Sequence, residues 1–312
     1  PSNDIEFPII QYPNDTLQIV QADETQLLAL KEMLVAFHKS TGLKVNFHKS
    51  CILPINVSLE ETNRLAAIFG CQVGTLPFTY LGLPVGTTKP RIVDLVPVVD
   101  NVKRRLSATS SLLSQVARLQ LLQSVLSSMP IYFLCSLSLP AAIIKQLERI
   151  MRQCLWRGNS DTPKQSLAAW PMVCEPKDKG GMGIINLAIQ NRALLTKHLH
   201  KFYNKADIPW VSLIWDTYYN GLVPHATFQC GSFWWRDIMK LNDVYRVNST
   251  VIINSGDPAL FWHDSWILNA YSNPVKERFP RLFSFTLDDK LSVRDFIQDL
   301  DLEAQFQLPL SP

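Results

Sequence analysis

Ile9-Ile10-Gln11-Tyr12-Pro13-Asn14-Asp15-Thr16-Leu17-Gln18-Ile19 is the segment from which the fold class follows. Ile5, Phe7 and Ile9 alternate with their neighbours, Tyr12-Pro13-Asn14-Asp15 supplies turn chemistry, and Leu17 and Ile19 alternate again. Successive strand residues point to opposite faces, so this pattern predicts a short β-hairpin over residues 5–21. Further along, strand signals are sparse: Ser50 to Ile55 is one candidate, and Thr79-Tyr80-Leu81 is another, just before turns at Gly82 and Gly86.

Helical periodicity dominates the rest. An amphipathic helix is predicted from Asp23 to Ser40, with Leu27, Leu30, Leu34 and Phe37 on one face and Gly42 as its terminator. Ser58-Leu59-Glu60-Glu61 matches a capping box, in which serine and glutamate satisfy each other's orphan backbone donors, and opens a helix ending near Gly70. From residue 90 the pattern predicts helices over 91–106, 110–128 and 140–157. The apolar run Met129 to Ile144 reads as a buried core helix interrupted at Pro140, and is shorter than the ~20 residues a membrane span needs.

Asn159 to Gln165, rich in polar residues and proline, reads as a boundary. Lys179-Gly180-Gly181-Met182-Gly183 is a turn leading into a helix from Asn186 to Tyr203, and residues 208–300 read as short helices and strands with many aromatics. The fold class is therefore α+β, mostly helical.

Bulk composition narrows the function classes. Hydrophobic residues make up 47% and charged residues 18%, which is a globular balance, and the net charge of +3 biases the chain only weakly toward polyanions. Six cysteines lie far apart with no C-x-x-C pair, so reduced thiols and an intracellular location are expected, and no zinc-ligand spacing is present. His198 and His200, two apart, fall on different faces of a helix and make a poor metal pair. The chain opens at Pro1 without a signal-peptide pattern or an initiator methionine, so a preceding segment is expected to be missing or removed.

Several segments, in order, carry a resemblance. Gln11-Tyr12-Pro13-Asn14-Asp15-Thr16 resembles a Y-A-D-D-T box. Ser40-Thr41-Gly42-Leu43-Lys44-Val45-Asn46 with Lys49-Ser50 resembles S-G-L-K-I-N…K-S, and Phe78 to Gly86 resembles a Y-L-G-x-P-L-G segment. Leu106 to Pro130, Leu155-Trp156-Arg157-Gly158, Lys179 to Ile184 and Phe261-Trp262-His263-Asp264-Ser265-Trp266 extend the match over nearly the whole chain. Together they resemble the C-terminal part of plant non-LTR retrotransposon (long interspersed element) reverse transcriptases.

The resemblance implies a partial polymerase palm over 1–89, a helical thumb over 90–158 and an α-rich connection region over 159–312. It also implies an ancestral RNA-directed DNA polymerase using Mg2+, with RNA or an RNA–DNA hybrid as partner, in the nucleus or cytoplasm. Family members often end in a Cys/His-rich segment, whose spacing is not found here.

The implied catalytic positions are Asn14 and Asp15, with Tyr12 beside them. Nucleotidyl transfer needs two divalent ions held by hard anionic oxygens, and asparagine at the first position keeps one oxygen but loses the charge. Pro13 fixes φ where the family carries a small residue. Only eleven residues precede Tyr12, so the upstream strand that supplies a further aspartate is not in this sequence. Asp15 is the one remaining metal candidate, with a turn or capping aspartate as its alternative. The chain is expected to be catalytically inactive as given.

Thumb helices hold primer–template through phosphates. Lys103, Arg104, Arg105, Arg118, Arg149, Arg152 and Arg157 fall in that region with few acids near, and Lys177 and Lys179 follow. They read as an electrostatic footprint for nucleic acid, or alternatively as a solvated face. Phe233, Trp234, Trp235, Phe261, Trp262 and Trp266 read as core rather than base-stacking platforms. Against the degenerate-enzyme reading stand a non-catalytic RNA- or DNA-binding protein that keeps the thumb surface, and a relic without function.

Overall fold

A computed structural model describes residues 9–110, 112–128, 130–157, 166–219, 230–253, 256, 259–266, 273–298 and 305–307. The chain divides into two compact units, Pro1–Pro90 and Arg91–Pro312.

The first unit begins with the hairpin, β1 (Ile9–Tyr12) antiparallel to β2 (Asp15–Gln18), in a register that pairs Tyr12 with Asp15 across Pro13-Asn14. Ile5 and Phe7, placed in the hairpin by alternation, lie outside the described residues. Helix α1 (Glu24–Thr41) follows, with the Asp23 carboxylate accepting from Gln26 N at 3.0 Å and Gly42 at φ 77° closing its end. A single turn at Phe47–Lys49 leads to β3 (Cys51–Ile52), then α2 (Leu59–Phe69), whose Ser58 cap accepts from Glu61 N at 3.2 Å.

Strand β4 (Gln72–Val73) returns parallel to β3. Then β5 (Phe78–Tyr80) and β6 (Leu83–Val85) form a second hairpin, with Leu81 and Gly82 both at positive φ as a two-residue turn matching strand twist requires. The core of this unit is small: Leu27, Leu65 and Phe69, flanked by Leu30, Leu34, Phe47, Ile52 and Cys71. Two expectations are corrected. Phe37 is 48% exposed and takes no part in that core. The strand expected over Ser50–Ile55 is paired only at Cys51 and Ile52.

The second unit is helical. Its first core is built by α3 (Ile92–Ser110), α4 (Gln115–Ser128), α5 (Ile131–Ser136), α6 (Ala141–Arg157), α7 (Trp170–Cys174) and the start of α8 (Leu187–Tyr203). Leu106, Leu122, Leu134, Ile143, Leu147, Met151 and Leu187 are fully enclosed there. Helix α4 starts later than the pattern suggests, since Ser114 caps it by accepting from Ala117 N at 3.3 Å.

The run Met129–Ile144 breaks earlier than at its proline. Pro140 disfavours helix at the residue before it, and α5 stops at Ser136. The extended backbone this leaves is held by a buried asparagine from α8: Asn191 Nδ2 donates to the Leu134 and Leu137 carbonyls, and its Oδ1 accepts from Leu139 N at 3.0 Å. The Asn159–Gln165 boundary lies outside the described residues.

A second, aromatic core joins the C-terminal half of α8 to α9 (Pro209–Tyr218) and α10 (Phe233–Met239), with α11 (Asn242–Val247) against it. Phe202 stacks on Trp215 with centroids 4.5 Å apart, and Trp235 is almost fully enclosed. A third cluster gathers Trp262, Val275, Phe296 and Phe306 from the 260–266 turn, α12 (Val275–Arg278), α14 (Val293–Gln298) and the chain near residue 306. Helix α13 (Pro280–Phe283) lies beside it. Among the described residues beyond Val85, the expected strands reduce to two isolated bridges, Leu260 to Ser292 and Thr286 to Phe306. The protein is α+β and mostly helical, and no described helix is long and apolar enough to cross a membrane.

Candidate nucleic-acid interface

The two sets of candidate residues sit in different settings. Tyr12, Asn14 and Asp15 occupy the tip of the β1–β2 hairpin, and Tyr12 is 59% exposed. The hairpin is local structure made by Pro13-Asn14 at the turn. Among the described residues, no group of three or more His, Cys, Asp or Glu is placed to hold a metal ion. Mg2+ is bound through several oxygen ligands in near-octahedral geometry, and one exposed carboxylate at Asp15 is a poor match to that need. The donors present at the turn do not fit the ion that the resemblance implies.

The basic candidates lie on the helical bundle. Val102 and Leu106 turn α3 inward, which leaves Lys103, Arg104 and Arg105 exposed on its other face, with Arg104 donating to the Asn101 side chain. Arg149 is exposed on α6.

Arg118 and Arg152 are drawn inward instead. Arg118 is half-buried, and its Nε donates to the Leu113 carbonyl at 2.9 Å, just before its own helix. Arg152 lies over the Trp170 ring at 5.5 Å and beside Glu148, whose carboxyl burial pushes up, against the pull of the Arg152 and Lys145 charges. The Arg157 side chain lies outside the described residues. Lys177 and Lys179 are exposed in the short turn before Gly180.

Around these residues the sequence has a feature that single-residue reading missed. From Asn101 to Leu147 there is no Asp or Glu, while Lys103, Arg104, Arg105, Arg118 and Lys145 are all basic. A second such run extends from Lys179 to Ala206, with Lys179, Arg192, Lys197, Lys201 and Lys205. The signal was available as the spacing between successive carboxylates. These two runs, from late α3 to the first turns of α6 and along α8, thus carry their cations without interleaved acids, whatever the modest net charge of the whole chain.

The aromatic candidates are structural. Trp235 and Trp262 are enclosed, Trp234 Nε1 donates to the Ser136 carbonyl at 2.8 Å, and Trp266 Nε1 donates to the Phe261 carbonyl at 2.9 Å. Phe261 stacks on Phe296. His198 and His200 point apart, as their spacing requires: His198 Nε2 lies 2.9 Å from the Cys135 carbonyl and His200 faces Tyr245. All six cysteines are free thiols.

No family model matches the chain. It is 31% identical over 179 residues to a putative ribonuclease H protein of Arabidopsis thaliana, a match covering 54% of this chain and 28% of that protein. It is 26% identical over 149 residues to an uncharacterized mitochondrial protein of the same plant, covering 46% of this chain and 94% of that protein. The chain is therefore related, over about half its length, to plant proteins of differing size, and spans little more than a quarter of the larger one.

Proposed function

We propose that this chain is a degenerate piece of a retroelement reverse transcriptase that holds nucleic acid by its phosphates and does not itself polymerise. In this reading, residues 1–89 are the remnant of a palm, 90–158 a thumb and 159–312 the connection that follows. The observation that carries the binding half is the acid-free run from Asn101 to Leu147, folded largely into helices, which exposes Lys103, Arg104, Arg105 and Lys145. A duplex presents about one negative charge per 1.7 Å of its axis, so an exposed helical face rich in cations is attracted to it whatever the base sequence. The relative named as a putative ribonuclease H protein supports a partner containing RNA.

The inactive half rests on Asn14 and Asp15. A single exposed carboxylate at a hairpin tip cannot hold two ions against the transferring phosphate. The relic reading draws on the exposed Ile9, Ile10, Tyr12, Ile19 and Val20, an apolar patch that favours aggregation; aggregated material without a cooperative melt would support it.

The test uses the full chain and a labelled RNA–DNA primer–template. Affinity is expected to fall steeply as salt rises, by about 0.9 in log K per decade of salt for each phosphate neutralised. K103E/R104E/R105E is expected to weaken binding for all sequences alike and to flatten that slope. Absence of binding at low salt overturns the binding half, and a templated extension product with Mg2+ or Mn2+ overturns the inactive half.

A further inference from the structure

We infer that the exposed side of α8, marked by Lys197 and Lys201, is a second surface that engages the phosphate backbone of nucleic acid, separate from the cations of α3. This rests on the reading of the bundle as a nucleic-acid-binding unit and extends it to a helix whose lysines were not among the basic candidates read from the sequence.

Helix α8 buries Leu187, Asn191, Leu195, Leu199 and Phe202 and exposes Arg192, Lys197 and Lys201. Lys197 and Lys201 are one turn apart, a rise of about 6 Å in which a duplex carries roughly three charges. Some described cations elsewhere have acidic partners: Arg64 pairs with Glu24 and Glu61, Arg91 with Asp94, Lys240 with Asp237 and Arg246 with Asp264. Among the described residues, Arg192, Lys197 and Lys201 have no acid within ion-pair distance, and the nearest carboxylate along the chain after them is Asp207. Unpaired cations gathered on a rigid helix keep their full attraction for an external anion.

His198, between them in sequence, is held below the ordinary imidazole range by burial, against the hydrogen bond to the Cys135 carbonyl, with Lys197 and Lys201 adding to the lowering.

The chemistry favours nucleic acid over a lipid surface. A helix lying on a membrane inserts an apolar face beside its cations, and the apolar face of α8 is committed to the core of its own unit. Of the large apolar residues in the helix, Ile189 is the one left markedly exposed among those described.

The experiment measures anisotropy of labelled double-stranded RNA and RNA–DNA hybrid with the full chain across a salt series. It compares the native protein with K197E/K201E, with the milder K197Q/K201Q, and separately with K103E/R104E/R105E. Circular dichroism melts establish that each variant remains folded. K197E/K201E is expected to weaken binding at low salt about tenfold or more for every sequence, and to reduce the log–log salt slope by about two, since two phosphate contacts are lost. K197Q/K201Q is expected to give a smaller loss in the same direction. Unchanged affinity in the α8 variants, with binding lost in the α3 variant, overturns this inference and leaves the proposed function standing. Failure of the native protein to bind at low salt overturns both. Adhesion to phosphatidylserine vesicles that K197E/K201E abolishes, with RNA binding unaltered, assigns the surface to lipid and also overturns the inference.

Discussion

Arg246 and Asp264 form an ion pair inside the protein, with side chains only 6% and 4% exposed. It ties α11 to the 260–266 turn, and so joins the aromatic core around α8 to the cluster around Trp262. Asp264 also accepts from Leu260 N at 2.7 Å, and Arg246 donates to the Tyr203 hydroxyl at 3.0 Å while its guanidinium lies over the Tyr203 ring. Tyr203 in turn donates to the Asn242 side chain at 2.6 Å. Burial pushes the Tyr203 phenol up to about 12, against the pull of Arg246. For Arg246 burial acts to lower the guanidinium, and Tyr203 and Asp264 outweigh it, so the guanidinium stays charged.

Removing one partner of this pair leaves the other charge buried alone. Asp264→Ala is expected to cost about 3–5 kcal/mol, whereas R246M/D264L, which removes both charges, is expected to cost much less. All eight tryptophans lie after Arg91, so denaturant unfolding followed by tryptophan emission reads the second unit by itself. Equal losses in the single and double variants would show that the site depends on packing and not on charge.

The Phe261–Trp266 stretch was legible as a motif, and its aromatics as core, but not the partner of its aspartate. Asp264 and Arg246 are brought together by a turn and a short helix whose approach no local pattern encodes. The same holds for Asn191. Its position in α8 was predicted, yet its burial against Leu134, Leu137 and Leu139 is a contact across more than fifty residues. What could be read was what the chain fixes locally: Ser58 and Gly70 bounding α2, Asp23 and Gly42 bounding α1, and Pro13-Asn14 turning the first hairpin. The placing of Tyr12 to Asp15 at a hairpin tip was legible in the same way, because such a tip is local. Which cations stay exposed was not, since Arg118 and Arg152 look like Arg149 in sequence and are turned inward by a backbone carbonyl and by Trp170.

His198 gives a pH dependence whose sign is fixed by its surroundings. The Cys135 carbonyl can only accept, so Nε2 carries the proton, and Nδ1 is buried without a hydrogen-bond partner among the described residues. Trp210 and Trp234 pack edge-on around the ring. Burial, with Lys197 and Lys201, lowers its proton affinity below that of the unfolded chain. Below the unfolded value of about 6.5 the unfolded state therefore binds a proton that the folded state refuses. This contribution is fully present above pH 6.5 and is lost as pH falls toward the folded value. His198→Gln, which can still donate to Cys135, is expected to flatten the stability curve from pH 6.5 downward relative to the native protein. Parallel curves for the two proteins would refute it.

The turn Lys179 to Gly183 yields the last prediction, because its glycines are there for different reasons. Gly180 sits at φ 83° with open space where a Cβ would be, so Gly180→Ala pays only the backbone penalty, about 1 kcal/mol. At Gly181 an added Cβ would fall 1.9 Å from the Glu175 carbonyl oxygen and 2.4 Å from its carbon, and neither can yield without moving the chain. That approach is fixed by backbone bonds on both sides of it: Gly181 N to Pro176 O, Met182 N to Val173 O and Gly183 N to Glu175 O. Gln123 of α4 then donates to the Met182 carbonyl at 2.9 Å and ties the loop to the bundle. Gly181→Ala must break part of this set and is expected to cost about 2–3 kcal/mol or more, clearly beyond Gly180→Ala. Tryptophan-monitored unfolding of the two variants side by side measures the difference, since Trp170 lies in the helix the loop follows. If Gly180→Ala proved the more damaging, the close approach of residues 175 and 181 would not be what holds this loop.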